Sequence, residues 1–142
     1  MTTRPTAELR RRVVERAGYC CEYCWLPQDL AASTHQVDHV IAEKHGGQTT
    51  LDNLALFCTV CNRRQGSDIG SVDPETGNLV PLFHPRTQQW SDHCRLDGLH
   101  IVGLTDVGRT TMAFLQLNAF ERLMERDALI RAGRYPSHRL MR

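Results

Sequence analysis

Apolar residues recur at helical spacing close to the start of the chain. Leu9 and Val13 lie on the same side of a helix that begins after Thr6 and runs to about Ala17. Thr6 is a suitable N-cap, and Gly18 suits a helix end because glycine readily adopts left-handed backbone angles. We therefore predict an amphipathic N-terminal helix whose polar side is rich in arginine.

The next apolar segment follows the period of an extended strand. Val37 and Ile41 fall on one side of this run, whereas Asp38 and Val40 fall on the other. The glycine pair at residues 46–47 then interrupts the pattern and predicts a loop.

A second apolar segment follows this loop, and a short helix follows that segment. The apolar residues of the return are Leu51, Leu54, Leu56 and Phe57. The helix is predicted from Thr59 onward and ends at Gly66. The predicted order is strand, loop, strand or turn, then helix, which brings Asp38 in the strand close to Asn62 in the helix.

The second half of the chain has a different character. The sequence D-P-E-T-G-N at residues 73–78 is a strong turn signal, and residues 66–71 before it indicate a loop. Extended structure is predicted around residues 79–83, at Trp90 and over residues 100–104. We expect a small antiparallel β element.

Two helices are predicted to follow this β element. The first is capped by Thr105 and runs to about Leu117. The second begins with N-A-F-E at residues 118–121, a capping box with the asparagine as N-cap, and it ends at Gly133. Its predicted apolar face consists of Phe120, Leu123, Leu129 and Ile130. Residues 135–142 are predicted to be a polar, basic tail.

Four of the six cysteines form two C-x-x-C pairs, Cys21 with Cys24 and Cys58 with Cys61. Such a pair places two thiolates on one tight turn, and two turns supply the four sulfur ligands of a tetrahedral structural zinc. Disulfide bonds are the alternative. We disfavour them because the N-terminus lacks an apolar targeting segment and the cytosol keeps thiols reduced.

An Asp-His dipeptide lies between the two cysteine pairs. His39 offers an imidazole, which is a workable general base at neutral pH. Asp38 and Asn62 offer oxygen ligands that suit magnesium or manganese. Phosphodiester hydrolysis needs a base for the attacking water and positive charge at the phosphate, so these groups suffice for a minimal nuclease. A solitary strand histidine would more often be a buried core residue.

The segment from about residue 19 to residue 67 resembles the HNH endonucleases, also called ββα-metal nucleases. The resemblance rests on the two C-x-x-C pairs, the Asp-His dipeptide, and the asparagines Asn53 and Asn62. Their order is similar to that of the HNH module of RNA-guided CRISPR nucleases, and the cysteines resemble the zinc-stapled, small stand-alone bacterial type. Two positions depart from the family pattern. Ala42 stands where proline is frequent, and Gln65 stands where a lysine often follows the helix arginines.

This resemblance implies roles for individual residues. It implies that His39 is the general base and that Asn53 pins the loop and so orients His39. It further implies that Asp38 and Asn62 hold a catalytic magnesium or manganese ion. The residues implied to hold structural zinc are Cys21, Cys24, Cys58 and Cys61.

The resemblance also implies an α+β fold, with a ββα-metal core stapled by a four-cysteine zinc site. An N-terminal helix precedes this core, and a β and helical extension follows it. We expect residues 1–70 to contain the N-terminal helix and the nuclease core. Residues 71–142 are expected to pack on that core rather than to fold independently.

Composition changes this picture only modestly. The formal net charge is +1, so composition alone does not indicate a nucleic-acid binder. Arg63 and Arg64, expected on the first turns of the predicted helix, are candidate phosphate ligands because a helix N-terminus favours anions. Arg12 and Arg16 near the first cysteine pair are further candidates, although a solvated polar face explains them equally well. No apolar run approaches membrane-spanning length, and we expect a soluble cytoplasmic protein.

The expected function is that of a divalent-metal-dependent endonuclease that hydrolyses DNA phosphodiester bonds. By resemblance to the family, its products would carry 5′-phosphate and 3′-hydroxyl ends. One alternative is a non-catalytic zinc-stapled nucleic-acid-binding module, and another is a structural zinc protein that acts through protein contacts. The complete Asp-His-Asn-Asn set argues against the first, and the two helix arginines beside it argue against the second. A homodimer would suit cleavage of both strands, and no membrane partner is expected.

Overall fold

The computed structural model describes residues 3–137. The chain divides into two compact units, Met1–Asp68 and Ile69–Arg142. None of the helices within residues 3–137 combines the length and the apolar character needed to cross a bilayer.

The first unit begins with helix α1, Ala7–Arg16. The Oγ1 atom of Thr6 accepts a hydrogen bond from the Leu9 backbone N–H at 3.2 Å, which satisfies one donor that the first turn leaves unpaired. Gly18 follows the helix with a φ of 63°. The predicted start and end of this helix are therefore confirmed.

A two-stranded sheet and a short helix follow α1 in this unit. Strand β1 is Gln36–His39, strand β2 is Leu54–Phe57 and helix α2 is Thr59–Gln65. Single 3-10 turns occur at Gln28–Leu30 and Glu43–His45. The strands are antiparallel, and His39 lies opposite Leu54. The predicted order of strand, loop, strand and helix is confirmed, and the fold is α+β.

Strand β2 is covered on both faces. Leu54 and Leu56 are completely buried and belong to a core that they form with Val13 of α1. The opposite face carries Phe57, whose ring stacks on Tyr23 with 4.8 Å between the ring centroids. Because both faces are buried, all four residues of β2 form an uninterrupted apolar run.

The second unit contains two antiparallel hairpins, β3–β4 and β5–β6, and helices α3, α4 and α5. The strands are β3 (Gly70–Val72), β4 (Leu79–Pro81), β5 (Cys94–Asp97) and β6 (His100–Gly103). The helices are α3 (Trp90–His93), α4 (Asp106–Phe114) and α5 (Phe120–Arg131). Thr105 caps α4 by accepting a hydrogen bond from the Gly108 backbone N–H at 3.1 Å, as predicted. The predicted antiparallel β element is thus present as two separate hairpins.

Two segments of this unit differ from the prediction. The predicted loop at residues 66–71 contributes to β3, because Gly70–Val72 pairs with Leu79–Pro81 across the turn at residues 73–78. Trp90 was predicted to be extended, but it begins the one-turn helix α3 and is buried. Both segments are short, so long-range pairing and burial outweigh their weak local preferences.

The start of α5 was also predicted wrongly. Ala119, not Asn118, occupies the N-cap position, and it makes no side-chain capping bond. The Asn118 side chain instead accepts a hydrogen bond from Ile101 N and donates one to Ile101 O, both at 2.9 Å. It therefore fastens the segment before α5 to β6.

The buried face of α5 is more polar than predicted, although Leu129 of the predicted apolar face is buried. Its buried residues are Arg122, Arg126 and Leu129. Phe120, by contrast, is 70% exposed. Arg122 donates to the Leu115 carbonyl at 2.9 Å, and Arg126 donates to the Leu117 carbonyl at 2.8 Å. These carbonyls lie beyond the end of α4, so the buried arginines satisfy acceptors that the helix cannot.

The predicted polar tail also requires a correction. Tyr135 is only 5% exposed, and the Arg126 guanidinium lies 5.8 Å from the centroid of its ring. Residues 138–142 of that tail lie outside the described residues.

Candidate functional site

Four cysteine side chains meet in the first unit. The Sγ atoms of Cys21, Cys24, Cys58 and Cys61 lie within 4.8 Å of one another, and all four residues are buried. The sulfurs of Cys24 and Cys58 are 3.7 Å apart. A tetrahedral site with Zn–S bonds of about 2.3 Å requires sulfurs about 3.8 Å apart, so the spacing suits a single zinc ion.

Backbone pairing explains why the two cysteine pairs meet. Cys58 is the N-cap of α2, and its sulfur accepts a hydrogen bond from Cys61 N at 3.4 Å. The first pair is tied to β2 through Glu22. The Glu22 backbone N donates to Leu56 O, and the Glu22 carboxylate accepts from Leu56 N, both at 2.9 Å. Since β2 leads directly into α2, this attachment places the first pair opposite the second.

Burial of the four sulfurs makes the thiolate form costly unless a cation is bound. Loss of solvation raises the pKa of the Cys21 and Cys61 thiols well above their ordinary value. Zinc binds the thiolate form, and its charge offsets the cost of burying that form. Both the donor type and the spacing therefore fit structural zinc.

A polar cavity of about 410 Å³ lies beside β1 in the first unit. Asp38, His39 and Asn62 all line it, so the structure brings together three of the predicted site residues. Asp38 and His39 end β1, and Asn62 lies on α2, which packs against β1. The ββα arrangement is what places these side chains around one space.

Both ring nitrogens of His39 have a polar neighbour within hydrogen-bond distance. Its Nε2 lies 2.8 Å from Thr49 Oγ1, and its Nδ1 lies 3.3 Å from Asp38 Oδ1. Glu43 Oε1 is 3.8 Å from the same Nε2. The His39 side chain is only 3% exposed, yet it forms part of the cavity wall. The cavity therefore meets an imidazole whose orientation is fixed.

Asn53 fastens the loop between β1 and β2. Its Oδ1 accepts from Ile41 N at 3.0 Å, and its Nδ2 donates to Ile41 O and Gln48 O, both at 2.9 Å. Gly47 lies inside the bend that these bonds close. A Cβ at this position would lie 1.7 Å from Ile41 O and 2.7 Å from Asn53 Nδ2. Thr49 lies in the same loop and contacts His39 Nε2. The loop that Asn53 fastens therefore reaches His39.

Asp38 and Asn62 present oxygen atoms that fit a hard cation. The Asp38 side chain is 38% exposed. The Asn62 amide nitrogen donates to Gln36 Oε1, so the amide oxygen is the atom of this side chain that a cation would use. A carboxylate and an amide oxygen suit magnesium or manganese, and two protein ligands leave coordination positions for water.

The four arginines predicted to contact nucleic acid have different surroundings. Arg63 and Arg64 are exposed, but they lie in the last turn of α2. The positive N-terminus of α2 therefore does not lie beside them, contrary to the prediction. Arg12 is exposed on α1. Arg16 instead donates to the backbone carbonyls of Leu51 and Leu54, both at 2.8 Å. Among the described residues, the cavity lining includes none of these four.

Several residues around the site were not predicted. Thr49 and Glu43 flank His39. The cavity lining also includes Arg4 and Gln36. Gln36 could have been found, because it lies two residues before Asp38 on the same face of β1. No sequence signal identified Thr49, because a loop, not a periodic element, brings it to His39.

Comparison with known families agrees with this geometry. The family model HNH, described as HNH endonuclease, matches residues 21–68. No curated protein and no solved structure matched the chain. The matched segment starts at the first cysteine of the cluster and contains β1, β2 and α2. Residues 21–68 are therefore similar to the HNH endonuclease family, and the segment contains a ββα core and a four-cysteine cluster that suits zinc.

Proposed function

We propose that this protein is a divalent-metal-dependent endonuclease that hydrolyses DNA phosphodiester bonds. The observation that carries the proposal is that Asp38, His39 and Asn62 line one polar cavity in the segment that matches the HNH endonuclease family. Their chemistry is complementary, because one residue offers a base and two offer oxygen ligands. A protein that only binds nucleic acid would need neither a fixed imidazole nor this donor set.

His39 acts as the general base in this proposal. In the tautomer that serves a base, Nε2–H donates to Thr49 Oγ1, and Nδ1 carries the lone pair. Nδ1 takes a proton from the attacking water while the water oxygen bonds to phosphorus. The bond from phosphorus to the 3′ oxygen breaks, and that oxygen takes a proton from solvent. The products carry a 5′-phosphate and a 3′-hydroxyl.

Asp38 and Asn62 would hold a magnesium or manganese ion on the cavity wall. When bound, such an ion supplies positive charge that stabilises the charge developing on the phosphate and the leaving oxygen. Asp38 also orients its neighbour, because its Oδ1 accepts a hydrogen bond from the His39 backbone N at 2.7 Å. The cysteine cluster has a structural part, since its buried sulfurs would hold zinc and keep β2 and α2 in place.

A plasmid-nicking assay with His39→Ala tests this proposal. We expect wild type to nick plasmid DNA when magnesium or manganese is added, and the variant to lose about 10²–10⁴-fold in rate with unchanged zinc content. His45→Ala is the matched control, because His45 is exposed and its Nε2 contacts the Ser67 carbonyl at 3.1 Å. We expect the control to retain activity.

Two results would contradict the proposal. Wild-type rates in His39→Ala would remove the general base from the mechanism. No cleavage by folded, zinc-loaded wild type with either cation would favour the non-catalytic nucleic-acid-binding module instead.

A further inference from the structure

The cavity beside His39 has a cationic wall that the proposed chemistry does not use. Arg4 and Arg10 line it together with Asp38, which is the one carboxylate among the described lining residues. Two guanidinium groups against one carboxylate favour an anion in this space. We propose that Arg4 and Arg10 bind phosphate groups of the DNA strand next to the phosphate that is cleaved. This inference rests on the proposed endonuclease function and deepens it.

The backbone at Arg4 is fastened on both sides. Before it, Thr3 donates to the Glu43 carboxylate from its backbone N and from its hydroxyl, the latter at 2.9 Å. These bonds lower the pKa of the Glu43 carboxyl, which favours the charged acceptor that they require. After it, Thr6 caps α1. The position of Arg4 beside the cavity therefore follows from two anchored neighbours.

Arg10 reaches the same cavity from α1. Both arginines are exposed, and within residues 3–137 neither guanidinium forms an ion pair. Arg11 differs from them, because it pairs with Glu15 of its own helix at 3.5 Å. Unpaired guanidinium groups keep all their donors for a ligand, and the planar fork of arginine matches two oxygens of one phosphate.

The size and polarity of the cavity also suit part of a nucleic-acid strand. Its volume of about 410 Å³ falls in the range of about 300–1,000 Å³ typical of ligand sites. His35, another lining residue, is 6% exposed and directs Nε2 to the Leu26 carbonyl at 2.7 Å. Its Nδ1 is buried and has no hydrogen-bond partner within residues 3–137. A polar atom buried in this way is normally paired with a protein group or an ordered water molecule.

The salt dependence of DNA binding tests the two contacts separately from cleavage. The parent is the His39→Ala protein with a short fluorescent DNA duplex, and Arg4→Ala and Arg10→Ala are added to it singly. Each phosphate contact contributes about 0.9 to the slope of log K against log salt on duplex DNA. We expect each substitution to make the slope shallower by about that amount and to weaken binding. Arg11→Ala, an exposed change on the same helix, is expected to leave the slope unchanged.

The outcomes separate this inference from the endonuclease itself. Slopes for Arg4→Ala and Arg10→Ala equal to the slope for Arg11→Ala would overturn the phosphate contacts, and so would a parent that binds no DNA. If wild type nicks plasmid while these slopes stay unchanged, the endonuclease stands and only the contacts fall. If the slopes change as expected but wild type never cleaves, the contacts stand and the proposed catalysis falls.

Discussion

Each ring nitrogen of His39 has one neighbour within hydrogen-bond distance. Thr49 reaches Nε2 from the loop, and Asp38 precedes His39 on β1 and lies near Nδ1. A hydroxyl both donates and accepts, so Thr49 can pair with Nε2 in either tautomer of the ring. Asp38 as a carboxylate only accepts, so it pairs with Nδ1 only when that nitrogen carries a proton. The tautomer that a base needs at Nδ1 is therefore the one in which Thr49 accepts.

Thr49→Val tests whether this hydroxyl positions His39. The variant keeps the shape of the side chain but loses the bond at Nε2, so we expect kcat for plasmid nicking to fall about tenfold with little change in KM. Thr49→Ser keeps the hydroxyl and is expected to restore most of the rate. Thr50→Val is the matched control on the neighbouring residue. Equal rates in Thr49→Val and Thr50→Val would show that Thr49 has no part in orienting the base.

The functional residues could be predicted from the sequence only where they stand at recognisable spacings. The cysteines and the Asp-His dipeptide stand at recognisable spacings, and the structure groups the cysteines in one cluster and places the dipeptide on the cavity wall. Gln65 shows the opposite case. It stands where the family often has a lysine, but it is 3% exposed and donates to the Val40 carbonyl at 3.3 Å. Its role in the interior depends on a long-range contact that no local pattern contains.

Helices were predicted well where their ends are determined locally. Thr6 and Thr105 cap α1 and α4 because a threonine hydroxyl reaches an N–H three residues ahead. Asn118 has the same local chemistry, yet its amide pairs with both backbone groups of Ile101. The capping prediction failed there because a strand in the folded unit competes for the same side chain.

Loss of zinc tests whether the cysteine cluster stabilises the elements that it joins. We expect Cys58→Ser to lose bound zinc and to unfold the first unit, because the cluster connects the start of α2 with the turn attached to β2. Zinc content by elemental analysis and the melting temperature measure the two effects. Cys20→Ser is the control, since Cys20 is also buried but does not belong to the cluster. An unchanged melting temperature in Cys58→Ser would contradict a structural role for zinc.

At the scale of the whole molecule, the two units have different stabilising groups. The sulfur cluster lies in Met1–Asp68, whereas an ion pair between Asp73 and the partly exposed Arg109 lies in Ile69–Arg142. Asp73 is fully buried and accepts from Arg109 at 2.8 Å. The chain has two tryptophans, and Trp25 lies in the first unit and Trp90 in the second. Fluorescence of Trp25→Phe or Trp90→Phe protein therefore reports on one unit at a time. The expected packing of residues 71–142 on the core stays a prediction.

Low pH should lower the stability of the second unit because it protonates Asp73. Hydrogen bonds from Arg109 lower the pKa of the Asp73 carboxyl to about 2 in the folded protein, compared with about 3.9 in an unfolded chain. Because the folded pKa is the lower one, this group stabilises the fold fully above about pH 4 and loses that contribution as the pH falls through about 2. We expect Asp73→Asn to be less stable at pH 5 but to lose less stability between pH 4 and pH 2.

Urea unfolding of the Trp25→Phe protein, followed by Trp90 fluorescence at each pH, measures this difference. Parallel losses in the protein with Asp73 and in Asp73→Asn would show that another group governs the acid response.

The lack of space at Gly47 affects how substitutions in this loop should be interpreted. The Ile41 carbonyl occupies the space that any side chain at position 47 would need, so every replacement must displace the backbone there. That displacement would also disturb the bonds of Asn53 and the approach of Thr49 to His39. In a saturation-mutagenesis screen, position 47 would therefore look as indispensable as the base itself, although glycine has no side chain to contribute to the reaction. Intolerance to substitution at this position reports the shape of the loop, not a catalytic role.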